Sequence, residues 1–194
     1  MPLVSFLLYV FITSFTPGPN NIMAMLFANE YGFKKTLRFC LGVGAGFFVI
    51  MLLSSYFNLV LHNFIPKIEL PMMILGAGYM VYLAIKIVTS KKSADEDDGG
   101  KYNSFIAGML LQFVNPKGVL FGITVVATFI LPYHTSHMVL LLFSLFLAVV
   151  GFLSTSTWSL FGSIFQKFLS KYRNQFNIVM ALLLVYSAVS ILVG

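Results

Sequence analysis

The sequence predicts an all-α integral membrane protein of six transmembrane helices. They form two inverted three-helix halves, with helices one and four broken at proline. Three observations carry that prediction. Of the 194 residues, 59% are hydrophobic and only 9% charged, which is not the balance of a soluble domain. Six apolar runs, each suited to a ~30 Å hydrocarbon core, take up nearly the whole chain. Proline interrupts the first and the fourth of these runs.

The first run, Leu3 to Asn29, contains no Asp, Glu, Lys, Arg or His, and is read as a retained helix rather than a removed signal peptide. Within it stands Thr16-Pro17-Gly18-Pro19-Asn20-Asn21. Each proline removes a backbone donor and crowds the carbonyl four residues earlier. Thr16 and Gly18, which precede the prolines, are pushed out of α geometry. A helix restarting at Pro19 has proline in its first turn, where the missing donor is harmless. Carbonyls freed at Thr13 and Phe15 cannot face lipid, so the broken backbone must be buried in protein or line a watery cavity.

A turn from Glu30 to Lys35 leads to the second run, Thr36 to His62, where Gly42, Gly44 and Gly46 are expected to pack helices closely. With no strand or βαβ unit around them they are not a nucleotide-binding fingerprint. Pro66 and Pro71 mark the next turn, and the third run covers Leu70 to Val88. The only hydrophilic stretch is Ser90 to Asn103, SKKSADEDDGGKYN, which reads as a solvated cytoplasmic loop. It divides one membrane domain into a first half, 1–89, and a second, 104–194. The fourth run, Ser104 to Leu131, is interrupted by Asn115-Pro116-Lys117-Gly118. A tight turn at Pro132-Tyr133-His134 precedes the fifth run, Met138 to Phe165, and the sixth covers Asn177 to Val193.

Basic residues orient the chain. Lys34, Lys35 and Arg38, then Lys86, Lys91, Lys92 and Lys101, then Lys167, Lys171 and Arg173 fall in the first, third and fifth loops. The second and fourth loops hold Lys67 alone, so the odd loops are expected in the cytoplasm and both termini outside. The net charge of +6 thus meets anionic lipid headgroups and calls for no nucleic acid. An odd number of spans per half makes the second half enter from the opposite side. At about 1.5 Å per residue, Pro17 and Pro116 both lie about 21–23 Å into their helices, near or past the bilayer middle. Broken helices at that depth in inverted halves are the pattern of a secondary transporter with a midplane site.

The candidate binding residues follow from the breaks. Helix amides behind Pro19 favour an anion such as a carboxylate. The Thr13 and Phe15 carbonyls, the Thr16 hydroxyl and the Asn20 and Asn21 side chains offer acceptors to an ammonium, so Thr16 to Asn21 form a zwitterion-shaped site. The second break adds Gln112, Asn115, Pro116 and Lys117. Lys117 is the one charged residue placed deep in a span: it faces the cavity and attracts a carboxylate, or it snorkels to the interface. Gly118 and Gly122 make a small-residue face. In the fifth run, Ser154 to Thr157 are expected to form interhelical hydrogen bonds, with Trp158 a candidate cavity wall.

What is missing excludes other classes. All six acidic residues, Glu30, Glu69, Asp95, Glu96, Asp97 and Asp98, fall in loops or at span ends. No buried carboxylates are available for a divalent-metal exporter or a typical proton relay. His62, His134 and His137 sit at outer turns, and the single Cys40 permits no disulfide or Cys-based metal cluster. The sequence therefore points to no metal, no cofactor and no enzyme, since a membrane hydrolase would lack its acid–base groups. Small-residue faces permit a homodimer.

With these motifs in view, the chain resembles the LysE/RhtB family of amino-acid exporters. The resemblance rests on Thr16-Pro17-Gly18-Pro19-Asn20-Asn21 and on Gln112-Phe113-Val114-Asn115-Pro116-Lys117, in that order and spacing. Within the family it is most similar to the cysteine/O-acetylserine branch, through Asn20-Asn21-Ile22, the stretch Phe121-Gly122-Ile123-Thr124 to Pro132, and Asn177-Ile178-Val179 to Tyr186. The resemblance implies an inner-membrane exporter of small neutral amino acids or derivatives (threonine, homoserine or leucine if not cysteine or O-acetylserine). It also implies coupling to the proton-motive force. Lys117, the substrate's own ionisation, or uncoupled facilitated efflux are the options the residues leave open. The absence of acids in the spans argues against lysine or arginine as substrate. The rival reading is a channel or assembly subunit whose prolines merely shape a pore; saturable, stereoselective efflux separates the two.

Overall fold

The computed structural model describes residues 1–89 and 103–193, with backbone alone at 59–69, 72, 167, 169, 170 and 191. The expected cytoplasmic loop, residues 90–102, lies outside the described residues. Regular structure among the described residues is helical: α1 Leu3–Phe15, α2 Pro19–Tyr31, α3 Phe33–Thr89, α4 Phe105–Phe113, α5 Pro116–Val125, α6 His137–Ile164, α7 Gln166–Lys171 and α8 Arg173–Val193. A π turn, Val126–Ile130, extends α5 and closes with the Leu131 amide on the Val126 carbonyl at 3.0 Å.

Two segments among the described residues are long and apolar enough to cross a membrane, Phe33–Asn58 and His137–Ile164. Counting the pair Phe105–Phe113 and Pro116–Ile130, bent by 65°, as one span brings the number to three. Leu3–Phe15 and Met73–Thr89 are shorter apolar helices. Large apolar side chains cover the exterior, among them Leu3, Val4, Leu8 and Phe11 on α1 and Leu142, Leu145 and Leu153 on α6. A soluble monomer rarely exposes so much contiguous apolar surface. This is the exterior of a membrane protein.

The chain between α2 and α3 is tighter than the expected turn from Glu30 to Lys35. Gly32 alone makes it, at φ 84° and ψ 161°, a conformation that a Cβ would strain. The turn expected at Pro66 and Pro71 is also absent from its predicted place. Helical backbone runs through both, and the non-helical dihedrals fall at Phe57, φ −113° and ψ 17°. Proline's fixed φ is itself helical; what it removes is a donor, so it does not by itself end a helix. Asn103, expected at the end of the solvated loop, is buried, with its Nδ2 donating to the Thr36 hydroxyl at 3.5 Å.

The early part of α3 crosses α4 with no side chain between the two backbones. A Cβ added at Gly42 would strike the Phe105 carbonyl oxygen, and one added at Gly108 would strike that of Phe39. A similar approach sets Gly162 of α6 on the Met25 carbonyl of α2. The core forms around these crossings. One cluster joins Phe6 and Val10 of α1 to Phe47 and Met51 of α3, Phe121 of α5 and Leu147 of α6. A second joins Ile22 of α2 to Met80 and Leu83 of α3 and to Met180 and Leu184 of α8. The helix is interrupted between α1 and α2 and again between α4 and α5, the second pair bent by 65°.

Candidate functional site

At the first break α1 ends on Thr16, whose amide reaches the Ile12 carbonyl at 3.1 Å, and the backbone runs extended to Gly18. The first bond of α2 is made by the Ile22 amide on the Gly18 carbonyl at 2.9 Å. Five carbonyls in between lose helical donors, as expected of a helix end, and each receives a side-chain donor. The Thr16 hydroxyl donates to Thr13 O at 3.1 Å. Asn21 Nδ2 and the Ser154 hydroxyl donate to Ser14 O at 2.9 and 2.7 Å. The Trp158 indole N–H donates to Phe15 O at 3.1 Å. Asn21 Nδ2 and Lys117 Nζ donate to Thr16 O at 3.1 and 3.2 Å, and Lys117 Nζ donates to Pro17 O at 3.1 Å.

At the second break the chain satisfies itself. The Val114 amide reaches Leu110 O at 3.4 Å, the Asn115 amide reaches Gln112 O at 3.3 Å, and the Gly118 and Val119 amides share Asn115 O at 3.0 and 3.1 Å. The Pro116 ring lies on Gly76 of α3, where any Cβ would collide with it. From the first turn of α5, Lys117 reaches across to the other break. Its ammonium also donates to the Thr16 hydroxyl at 2.8 Å, so its three N–H donors meet three oxygens of the first break. Gly18 gives the lysine stem its path: a Cβ there would come within 3.2 Å of Lys117 Cδ.

A cavity of about 60 Å³ lies between the two breaks. At roughly 10–15 Å³ for each enclosed water, that is room for about four to six water-sized groups. Thr13, Ser14, Asn20 and Asn21 line it from the first broken helix, and Gln112, Asn115, Lys117 and Gly118 from the second. Phe47, Val43 and Phe121 supply an apolar side, and Gly151, Ser154 and Thr155 of α6 close it. The Asn20 amide group donates to Gln112 Oε1. The lining carries one cationic side chain and no carboxylate.

Both breaks and this cavity fall within residues 11–194, which match the family model described as LysE type translocator. The chain belongs to that family. A protein of Salmonella choleraesuis (strain SC-B67) named cysteine/O-acetylserine efflux protein is 41% identical over 191 residues, covering 98% of this chain and 97% of its own length. A protein of the same name from Escherichia coli (strain K12) is 40% identical, covering 97% and 96%. No solved structure matches the chain.

In this LysE-type chain the residues singled out in the sequence have different stations. Gly18, Asn20, Asn21, Gln112, Asn115 and Lys117 share the cavity lining. Thr16, Pro17, Pro19 and Pro116 do not line it; they shape the backbone on which the lining is mounted. Trp158, expected as a cavity wall, is likewise not part of the lining, because its indole N–H is engaged on Phe15 O. The Thr13 and Phe15 carbonyls, expected as free acceptors for an ammonium, are already occupied by Thr16 and Trp158. Gly118 packs on Gln112 and Asn115 rather than opening a face to another helix. Ser154 and Thr155 line the cavity, a role their polar run did not suggest. The signal was their phase: Gly151, Ser154, Thr155 and Trp158 stand at i, i+3, i+4 and i+7, one face of a helix.

Proposed function

We propose that this chain exports small neutral amino acids or their derivatives from the cytoplasm, with cysteine and O-acetylserine foremost. The observation that carries the reading is the small polar cavity held between two helix breaks. Asn20, Asn21, Gln112, Asn115 and Lys117 are its proposed binding residues, mounted by Thr16, Pro17, Gly18, Pro19 and Pro116. A carboxylate is favoured near Lys117 and the first amides of α2, at Asn20 and Asn21, which precede that helix's first internal bond. The lack of a lining carboxylate disfavours a cationic side chain. Phe47 and Phe121 offer a substrate side chain an apolar wall. The names of the relatives, matched over nearly their whole length, supply the two leading substrates.

In this reading α1–α2 and α4–α5 are each one broken span, α3 contributes two spans on either side of Phe57, and α6 and α8 complete six. The halves are inverted, and alternating access exposes the cavity first to the cytoplasm and then outside, where both termini lie. The protein is placed in the cell membrane, with no enzymatic step and no cofactor. Lipid is its surrounding partner.

Efflux from preloaded cells tests the reading. Cells expressing the chain should release cysteine or O-acetylserine faster than cells without it, saturably and with preference for the L form. Threonine, homoserine and leucine serve as comparisons. Release of none of the five, or release that neither saturates nor distinguishes enantiomers, would overturn it in favour of a passive pore.

A further inference from the structure

Two buried oxygens of residues that line the cavity have no partner among the described residues: Asn20 Oδ1 and Asn115 Oδ1. Both side chains are 94% buried, since each residue is only 6% exposed. They come from opposite breaks, Asn20 from the first turn of α2 and Asn115 from the residue that caps α5. Gln112 joins them: it accepts from Asn20, its Nε2 occupies the position a Cβ would take on Gly118, and Asn115 Nδ2 lies in ordinary contact with that same position. The three amides thus form one row across the two halves, and the glycine leaves room for it.

A buried acceptor left unsatisfied costs about 1–3 kcal/mol, so a pair of them in a cavity favours a ligand that brings N–H donors. The break carbonyls are in less need of a ligand, because each from Thr13 to Pro17 already accepts from at least one side chain. A divalent metal would want six or more oxygens, several of them carboxylates, and the lining offers none. A lone organic cation would sit near Lys117 without compensation. A zwitterion resolves both demands, its carboxylate turned to the first amides of α2 with the Lys117 charge nearby and its ammonium to the amide row.

We infer that Asn20 and Asn115 form the ammonium half of the site, so that a free α-ammonium, more than the side chain, decides what this protein accepts. The inference rests on the export reading and narrows it. It predicts that 2-hydroxy acids and N-acylated amino acids are rejected although their carboxylate and side chain are the same. Asn21 has a different task, since its Nδ2 is spent on Ser14 O and Thr16 O.

The test uses the full-length protein, purified and also reconstituted in proteoliposomes loaded with labelled O-acetyl-L-serine. L-serine, glycerate and N-acetyl-L-serine are the competitors. L-serine should compete at least about tenfold more strongly than the other two, the fold expected for one lost buried hydrogen bond. The same order should hold for ligand-induced thermal stabilisation of the purified protein. Asn20→Leu and Asn115→Leu should narrow the gap, while Asn115→Asp, which puts a carboxylate beside the ammonium, should preserve it. Equal competition by all three, with O-acetylserine still transported, would sink this inference and leave the export reading standing. Ratios unmoved by both leucine variants would assign the two oxygens to water instead. Failure of every zwitterion to be transported or to stabilise the protein would remove both.

Discussion

From Thr13 to Pro17 five carbonyls are capped by side chains, three of those side chains drawn from α5 and α6, whereas between Phe113 and Pro116 the backbone turns on its own amides. The first break owes its shape to residues more than a hundred positions away in sequence: Lys117, Ser154 and Trp158. The second owes its shape to the residues within it and to Gly76 beneath the Pro116 ring. Lys117 makes the relation unequal, because it belongs to the self-sufficient break and completes the dependent one. A break wired to remote partners can report their positions; a break closed on itself can act as a fixed mount. The cavity lies between one of each.

The largest expected effect follows from cutting the link. Lys117→Met removes three hydrogen bonds from one ammonium and leaves Pro17 O without its donor. Export should fall at least about tenfold, and the purified protein should lose about 2 kcal/mol, as for hydrogen bonds from charged groups. Unchanged efflux at equal protein level would mean that the two breaks work separately. Asn21→Ala comes next, removing one of the two donors on Ser14 O and one of the two on Thr16 O, for about 1–3 kcal/mol in thermal unfolding for the two lost bonds. Asn21→Asp should do no better, since a carboxylate cannot donate to a carbonyl; recovery in that variant would show that polarity, not donation, is what the position supplies.

Trp158→Phe keeps the ring and removes the indole donor from Phe15 O. A loss of about 1 kcal/mol is expected, read by the same unfolding experiment. The smallest effect belongs to the second break. Pro116→Ala restores an amide at a first-turn position where none is needed, so its cost should stay under about 1 kcal/mol. A cost equal to that of Asn21→Ala would abolish the distinction between the two breaks.

The breaks themselves were legible because proline and glycine act locally. Pro19 and Pro116 each open a helix, and the reason lies in the residue's own ring and missing donor. Who caps the exposed carbonyls was not legible. That depends on the rotation of α6 against α1, which no stretch of either helix contains by itself. Trp158 illustrates the gap: nothing in the sequence showed that its indole N–H donates to Phe15 O. Pro66 and Pro71 illustrate the opposite error, reading a missing donor as a missing helix, while the kink fell at Phe57, where no breaker stands. Lys117 lines the cavity while its ammonium is held on Thr16 and Pro17 of the first break, a contact that no span pattern could show.

The bare crossing of α3 and α4 has a mechanical consequence. Gly42 faces the Phe105 carbonyl and Gly108 faces that of Phe39, so each helix presents a notch to the other's backbone. Contact of backbone on backbone resists sliding along either axis, because a shift drives a carbonyl against a neighbour with no side chain to give way. A single methyl added at Gly42 or Gly108 would therefore wedge the two helices apart, and with them everything mounted on either.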